Sequence, residues 1–238
     1  MRSSERLTPV TLSPAMSAPS EAVDDTSVAP LVQAVRDAAT ALELLRATQA
    51  LAEQGHPAAA PCLVEVLGFN NPGAAVAAVE GLIALGSAAV EPILRDLDGY
   101  NYGARAWAVR ALAGIGDVRG LEVLEEALGQ DIGPSVRRAA ARGLGQLRLD
   151  SLEADAREGV EERCLQALEA GGGDGEWVVR YAVVVGLHSL GGALEPGSER
   201  LERVQKALTS RAHPQQEAVP VVRLRAERGL TLLEGLHG

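Results

Sequence analysis

The chain has 238 residues, is 47 % hydrophobic at a mean hydropathy of +0.05, and carries a formal net charge of −10. It is long enough for a packed core, has no run of about 18 apolar residues to span a membrane, and lacks the dominant basic surface that phosphate-backbone binding needs. One Phe and two Met leave Leu, Ala and Val to build the core, and two well-separated cysteines, Cys62 and Cys164, predict no disulfide, show no metal-ligand spacing and fit a reducing, cytoplasmic setting.

In chain order, residues 1–27 are rich in Ser, Pro, Ala and Thr, follow no helical period and lack the apolar centre of a secretory signal. They are expected to be a disordered tail, with Met16 a candidate natural start that intact mass would test. Helical spacing begins at Val28 with Leu31, Val35 and Ala38, followed by Leu42, Leu45 and Leu51. Pro57 and Pro61 open a helix that runs to Leu67, and residues 70–73 turn into a helix over Ala74–Leu85 that Gly86 ends. Ala89–Leu97 pairs with a helix inside Tyr100–Asp117, Leu121–Leu128 with Ser135–Leu147, Glu161–Leu168 with Trp177–Leu190, and Leu201–Leu208 with Val221–Leu233. Leu51, Leu82, Leu112, Leu144, Leu187 and Leu230 are equivalent anchors, spaced 31, 30, 32, 43 and 43 residues apart. Such a period marks stacked repeat units, so the predicted fold is all-α, a HEAT-like α-solenoid of about six helical pairs forming one domain over residues 28–238. The two longer spacings place insertions, expected as loops, around Leu149–Gly159, Gly191–Ser198 and Arg211–Val219.

At about 100° per residue, positions −8, −4, −1, 0 and +3 from each anchor share one side of the second helix. They read Ala104, Ala108, Ala111, Leu112, Ile115; then Val136, Ala140, Gly143, Leu144, Leu147; then Val179, Val183, Gly186, Leu187, Leu190. That is the core stripe. At its edge, position −7 repeats Arg105, Arg137, Arg180 and Arg223, and an acid six or seven residues earlier recurs as Asp98, Asp131 and Asp174. The simplest role for these is structural, Asp capping the helix start and Arg reaching the neighbouring turn.

Positions −10, −6 and −2 point away from the core: Tyr102, Ala106, Arg110; Pro134, Arg138, Arg142; Trp177, Tyr181, Val185; Pro220, Leu224, Arg228. Trp107 borders the same side. All six aromatic residues, Phe69 and Tyr100 included, lie just before a second helix or in its first half, so they gather on one face. They either pack between neighbouring helices or form a binding surface. Aromatic walls with arginines between them suit a flat conjugated molecule that carries carboxylates. Other chemistries find no support. His56, His188, His213 and His237 form no metal motif and are expected on the surface or in turns; Gly171–Gly173 is not followed by Lys-Ser/Thr; Cys164 occupies a core position and Cys62 sits one place off it.

The stretches YNYGARAWAVRALAGIGD, GFNNPGAAVAAVEGLIALG, PSVRRAAARGLGQLR and EWVVRYAVVVGL resemble the F-type subunit of the heterodimeric phycobilin lyases, a HEAT-repeat family. The likeness spans about Leu31 to Leu190, and the YNYGARAW block separates it from generic HEAT repeats. The resemblance implies pairing with an E-type lyase subunit and thioether attachment of a linear tetrapyrrole, a phycobilin such as phycocyanobilin, to a cysteine of a phycobiliprotein α subunit, phycocyanin above all. The pigment would be a substrate rather than a permanent cofactor. Members that also isomerise the bilin carry an adjacent His-Cys motif, which is absent from this sequence. On this reading Arg110, Arg138 and Arg142 meet the bilin propionates, and Tyr102, Trp107, Trp177 and Tyr181 form the pocket wall or the partner interface. Asp117 is a weaker candidate for the pyrrole N–H groups beside its alternative as a loop cap after Gly116. No residue is singled out as catalytic. The competing reading is a non-catalytic HEAT adaptor that holds phycobiliprotein subunits for assembly or degradation, from which bilin transfer would separate it.

Overall fold

The computed structural model describes residues 28–97 and 101–237. The expectations for residues 1–27, including Met16, and for Asp98 and Tyr100 lie outside them. Among the described residues there are α-helices and short 3-10 turns and no strand, and the helices fall into six pairs. In chain order these are α1 (Ala29–Asp37) with α2 (Ala41–Glu53), α3 (Ala60–Leu67) with α4 (Pro72–Leu85), and α5 (Ser87–Arg95) with α6 (Tyr102–Ile115). They continue with α7 (Leu121–Gln130) and α8 (Pro134–Leu144), α9 (Ala154–Gly171) and α10 (Trp177–Gly191), and α11 (Glu199–Ala212) and α12 (Pro220–His237). The second helices stack α2 on α4 on α6 on α8 on α10 on α12 in one row, and the first helices cover its other side. The all-α solenoid of six pairs is therefore the observed fold.

Local chemistry sets the helix ends. Thr40 Oγ1 accepts from the Glu43 amide at 3.2 Å while the Glu43 carboxylate accepts from the Thr40 amide at 3.1 Å, a reciprocal cap that satisfies two donors the first turn leaves free. Asn71 and Asn101 cap α4 and α6 by accepting from Ala74 N and Ala104 N, each at 3.1 Å. Gly116, with φ of 68°, ends α6 in the left-handed conformation that side chains disfavour.

The core stripe follows the register, with Ala104 and Leu147 at its margins half-buried. Ala108, Ala111, Leu112 and Ile115 of α6, Val136, Ala140, Gly143 and Leu144 of α8, and Val179, Val183, Gly186, Leu187 and Leu190 of α10 are all buried. Two differences stand out. Leu230, the last anchor, is only half-buried, since among the described residues α12 packs chiefly on α10 and α11; Leu233 is the fully buried leucine there. The insertion expected as a loop around Leu149–Gly159 is partly helix, since residues 154–159 form the first turns of an 18-residue α9. Those turns are polar and exposed, so no apolar period announced them.

The two rows pack differently, and the close backbone approach is a feature of the second helices. Between α8 and α10 the backbones touch: a Cβ on Gly145 would collide with the Gly186 carbonyl, and one on Gly186 with the Ala141 carbonyl, so only glycine fits. The first helices are instead laced by ion pairs, Arg163 with Glu125, Arg203 with Glu162 at 2.8 Å and Glu169 at 2.6 Å, and Arg200 with Glu161 at 3.1 Å. The Arg163 and Arg203 pairs, open to solvent, contribute about 0–1 kcal/mol each, whereas Glu161 is buried.

Candidate functional site

The four arginines at position −7 do not face solvent. Arg137 donates through Nε and Nη2 to the Asp174 carboxylate at 2.7 and 3.0 Å, and through Nη1 to the Asp131 and Ile132 carbonyls. One repeat on, Arg180 donates to the Glu217 carboxylate at 2.7 and 2.8 Å and to the Asp174 and Gly175 carbonyls. Arg105 reaches Asp131 at 3.6 Å, and Arg223 holds the Glu217 and Ala218 carbonyls. Each acid in turn accepts a backbone N–H: Asp131 from Gly133, Asp174 from Glu176, Glu217 from Val219. The ladder of the sequence reading is real, with one addition, Glu217 in place of the aspartate of earlier repeats. Its direction is fixed: Arg137 and Arg180 each bind their own turn's carbonyls and the acid of the next repeat, Arg105 reaches forward to Asp131, and Arg223 holds its own turn's carbonyls. The Arg137 and Arg180 hydrogen bonds hold the Asp174 and Glu217 carboxyls below the usual carboxylate range.

With those arginines engaged, the outward ones stand apart. Arg110, Arg138 and Arg142 are exposed, and among the described residues none has a carboxylate within ion-pair distance. All three line one groove of about 380 Å³ between α6 and α8, together with Ser135 and Gln146. Trp107 adjoins it: the Arg110 guanidinium lies 4.8 Å over the indole, a cation–π distance, and Trp107, Arg110 and Ser135 line a smaller hollow of about 160 Å³ alongside. Ser135 and Gln146 had no signal in the repeat pattern, since each is a polar residue at a variable position.

The remaining candidates are placed elsewhere. Tyr102 has an exposed ring, but its hydroxyl donates to Asp131 Oδ1 at 3.3 Å, which ties it to the ladder. Trp177 is exposed at the start of α10, and Tyr181, half-buried, lines a separate groove with α12. Asp117 caps the 3-10 turn Val118–Gly120, accepting from Arg119 N and from the Arg119 side chain at 2.9 and 2.8 Å, and from Ser87 Oγ at 2.9 Å. Those bonds from Arg119 hold its carboxyl far below the ordinary range, and it lines neither the arginine groove nor the hollow beside Trp107. His188 departs from the surface or turn position expected of it; it is half-buried between α10 and α12, with Nδ1 3.2 Å from Arg225.

The thiols are not poised for chemistry. Cys62 and Cys164 are both buried and unpaired; burial raises the Cys62 thiol and pushes Cys164 up to about 12, so neither is a thiolate near neutral pH. Among the described residues no cluster of His, Cys, Asp and Glu could hold a metal ion, and no helix is long and apolar enough to cross a membrane. What the exposed face of the second helices offers is cationic and aromatic: three unpaired guanidinium groups beside an indole, suited to a planar molecule with carboxylate arms.

The HEAT-repeat family matches residues 97–188. Over 160 residues the chain is 53 % identical to the "Phycocyanin alpha phycocyanobilin lyase CpcF" of Synechocystis sp., an alignment covering 67 % of this chain and 75 % of that one. It is 46 % identical over 211 residues to the "Bilin biosynthesis protein RpcF" of Synechococcus sp., covering 87 % and 98 % of the two chains. Among solved structures it is similar to a chain in the complex of CpcE and CpcF of phycocyanin lyase from Nostoc sp., with a TM-score of 0.65 at 39 % identity over 73 % of this chain and 99 % of the other.

Proposed function

This chain belongs to the F-type subunits of the phycocyanobilin lyases, and on that premise we propose that, paired with an E-type subunit, it attaches a phycobilin to a cysteine of a phycobiliprotein α subunit, that of phycocyanin. The observation that carries the site is the convergence of Arg110, Arg138 and Arg142 on one groove, with no carboxylate among the described residues to neutralise them, beside the Trp107 indole. A linear tetrapyrrole presents a long π surface and two propionates. The arginines would take the propionates through charge-assisted hydrogen bonds, and Trp107 would offer the ring a stacking wall. Tyr102 and Trp177 serve the wider wall or the partner interface, whereas Tyr181 lines the separate groove against α12. Asp117, saturated by Arg119 and Ser87, serves the loop.

The bond made is carbon–sulfur. The acceptor's thiolate adds to the exocyclic ethylidene carbon of ring A, and a proton goes to the neighbouring ring carbon. The nucleophile belongs to the acceptor, in keeping with the buried, protonated state of Cys62 and Cys164. The work left to the lyase is to hold the pigment extended, neutralise its charge and bring the cysteine to it, which is catalysis by positioning. The pigment leaves with the acceptor, so it is a substrate and not a resident cofactor, and the reaction belongs to the cytoplasm, where apo-subunits are made.

The test is reconstitution: this chain, its E-type partner, free phycocyanobilin and the apo-α subunit. A covalent band with zinc-induced fluorescence is the expected result. Tight binding of the α subunit without that band would instead mean an adaptor, and parallel arms with a second bilin and a phycoerythrin α subunit fix the specificity.

A further inference from the structure

Arg225 and Arg228 of α12 are among the other arginines with no carboxylate within ion-pair distance among the described residues. Arg225 is half-buried against α10. Its Nη2 lies 3.2 Å from His188 Nδ1, and because a guanidinium can only donate, His188 must be the neutral tautomer with its proton on Nε2. Arg225 Nη1 is buried with no hydrogen-bond partner among the described residues. Burial, and then Arg225 and Arg228, lower the His188 pKa, so the imidazole stays uncharged. Arg228 is exposed at the same outward register as Arg110 and Arg142. With Tyr181, Val221, Leu224 and Leu232 these two arginines line a groove of about 500 Å³. Its rim is apolar and open, with Leu224 63 % exposed.

A partly buried cation without a counter-charge is costly, and a carboxylate brought to it relieves that cost. Resting on the lyase reading above, we propose that this groove docks an acidic side chain of the acceptor polypeptide, flanked by apolar residues that cover Val221, Leu224 and Leu232. The pigment is excluded by distance. Arg142 and Arg228 sit two helices apart in the row, roughly 16–20 Å at ordinary helix spacing, whereas a bilin carries its propionates on neighbouring central rings, and Arg110, Arg138 and Arg142 already gather them. The permanent partner subunit is excluded by chemistry, since stable interfaces are apolar at their centre and depleted of charge, while an open groove built on two unpaired cations suits a transient partner steered in by charge.

The experiment uses the complex with the E-type subunit and the variants Arg228→Glu and Leu224→Ser, both at exposed positions. Binding to the pigment-free α subunit is measured directly, and KM for that subunit is measured in the transfer reaction. Both readouts are expected to weaken about tenfold or more with Arg228→Glu, less with Leu224→Ser, with pigment affinity and heterodimer formation unchanged. Wild-type affinity for the α subunit should also fall as salt rises. Unchanged α-subunit binding in both variants overturns the proposal, as does a loss confined to pigment affinity or to the heterodimer. A wild-type complex that binds the α subunit through Arg228 yet transfers no pigment would overturn the lyase reading alone.

Discussion

Replacing Arg180 by Ala and, separately, Arg142 by Ala sets two arginines of adjacent second helices against each other. Arg180 makes four hydrogen bonds, two of them to Glu217, whose side chain is fully buried. Without Arg180 that carboxylate keeps only the Val219 amide at 2.9 Å and Arg211 at 3.9 Å. Removing one member of a buried pair costs about 3–5 kcal/mol. For a domain of this size, each kcal/mol moves Tm by about 2–4 °C, so Arg180→Ala is expected to melt at least about 6 °C below wild type by circular dichroism. Arg142 is exposed with no acid partner among the described residues, and its loss should stay within about 0.5 kcal/mol. Transfer activity should rank the other way below both melting points: Arg142→Ala loses propionate contact and turns over slowly, and Arg180→Ala retains activity while folded. Equal Tm losses, or activity lost from Arg180→Ala at a temperature where it is folded, would refute both the helical phase and the site.

Three further outcomes follow from the same geometry. Asp174 and Glu217 have folded pKa values held down by their arginines; the stability they contribute is present above their unfolded values, near 4, and is lost as pH falls through the lower folded values. Tm should therefore drop in acid below about pH 4 and change little from these groups between pH 5 and 8, as pH-resolved melts would read. The Cys62→Ser, Cys164→Ser double variant should still transfer pigment, with Cys164→Ser melting lower because it puts a hydroxyl in the core at a cost of about 1–3 kcal/mol; complete loss of transfer from Cys62→Ser in a folded protein would point to a bilin–thiol intermediate. Gly145→Ala should cost about 1–3 kcal/mol by forcing α8 away from the Gly186 carbonyl, a shift that denaturant midpoints would show, whereas Gly159→Ala, which meets nothing, should not.

Much of this was legible in the chain because a solenoid repeats its solution. The spacing of Leu51, Leu82, Leu112, Leu144 and Leu187 fixes the helical phase, and the phase alone separates the engaged Arg105, Arg137 and Arg180 from the outward Arg110 and Arg142. What escaped were features carried by one repeat only. Glu217 replaces a recurring aspartate, so the ladder's last acid matched no pattern. The polar opening of α9 has no apolar period to betray it. Ser135 and Gln146 join the arginine groove through the packing of α6 on α8, which sequence spacing does not encode. His188 was hidden for a similar reason: its burial depends on α12, and its partner Arg225 lies on another helix 37 residues away.

The direction of the arginine ladder also bears on how such a chain can grow or be rebuilt. From the third pair to the fifth, each repeat extends a hand forward, from its arginine to the acid of its successor, and the successor offers the socket. Exchanging or duplicating whole repeats of this kind therefore keeps the ladder intact if the cut preserves the offset between acid and arginine, whereas a cut between them leaves a buried acid and a stranded cation on the two sides of the seam. Arg223 keeps its grip on the Glu217 and Ala218 carbonyls, and among the described residues no acid meets it from beyond. Arg223 is thus a hand with no acid to meet among the described residues, and a repeat grafted after α12 would offer it one by carrying an acid in the turn before its second helix.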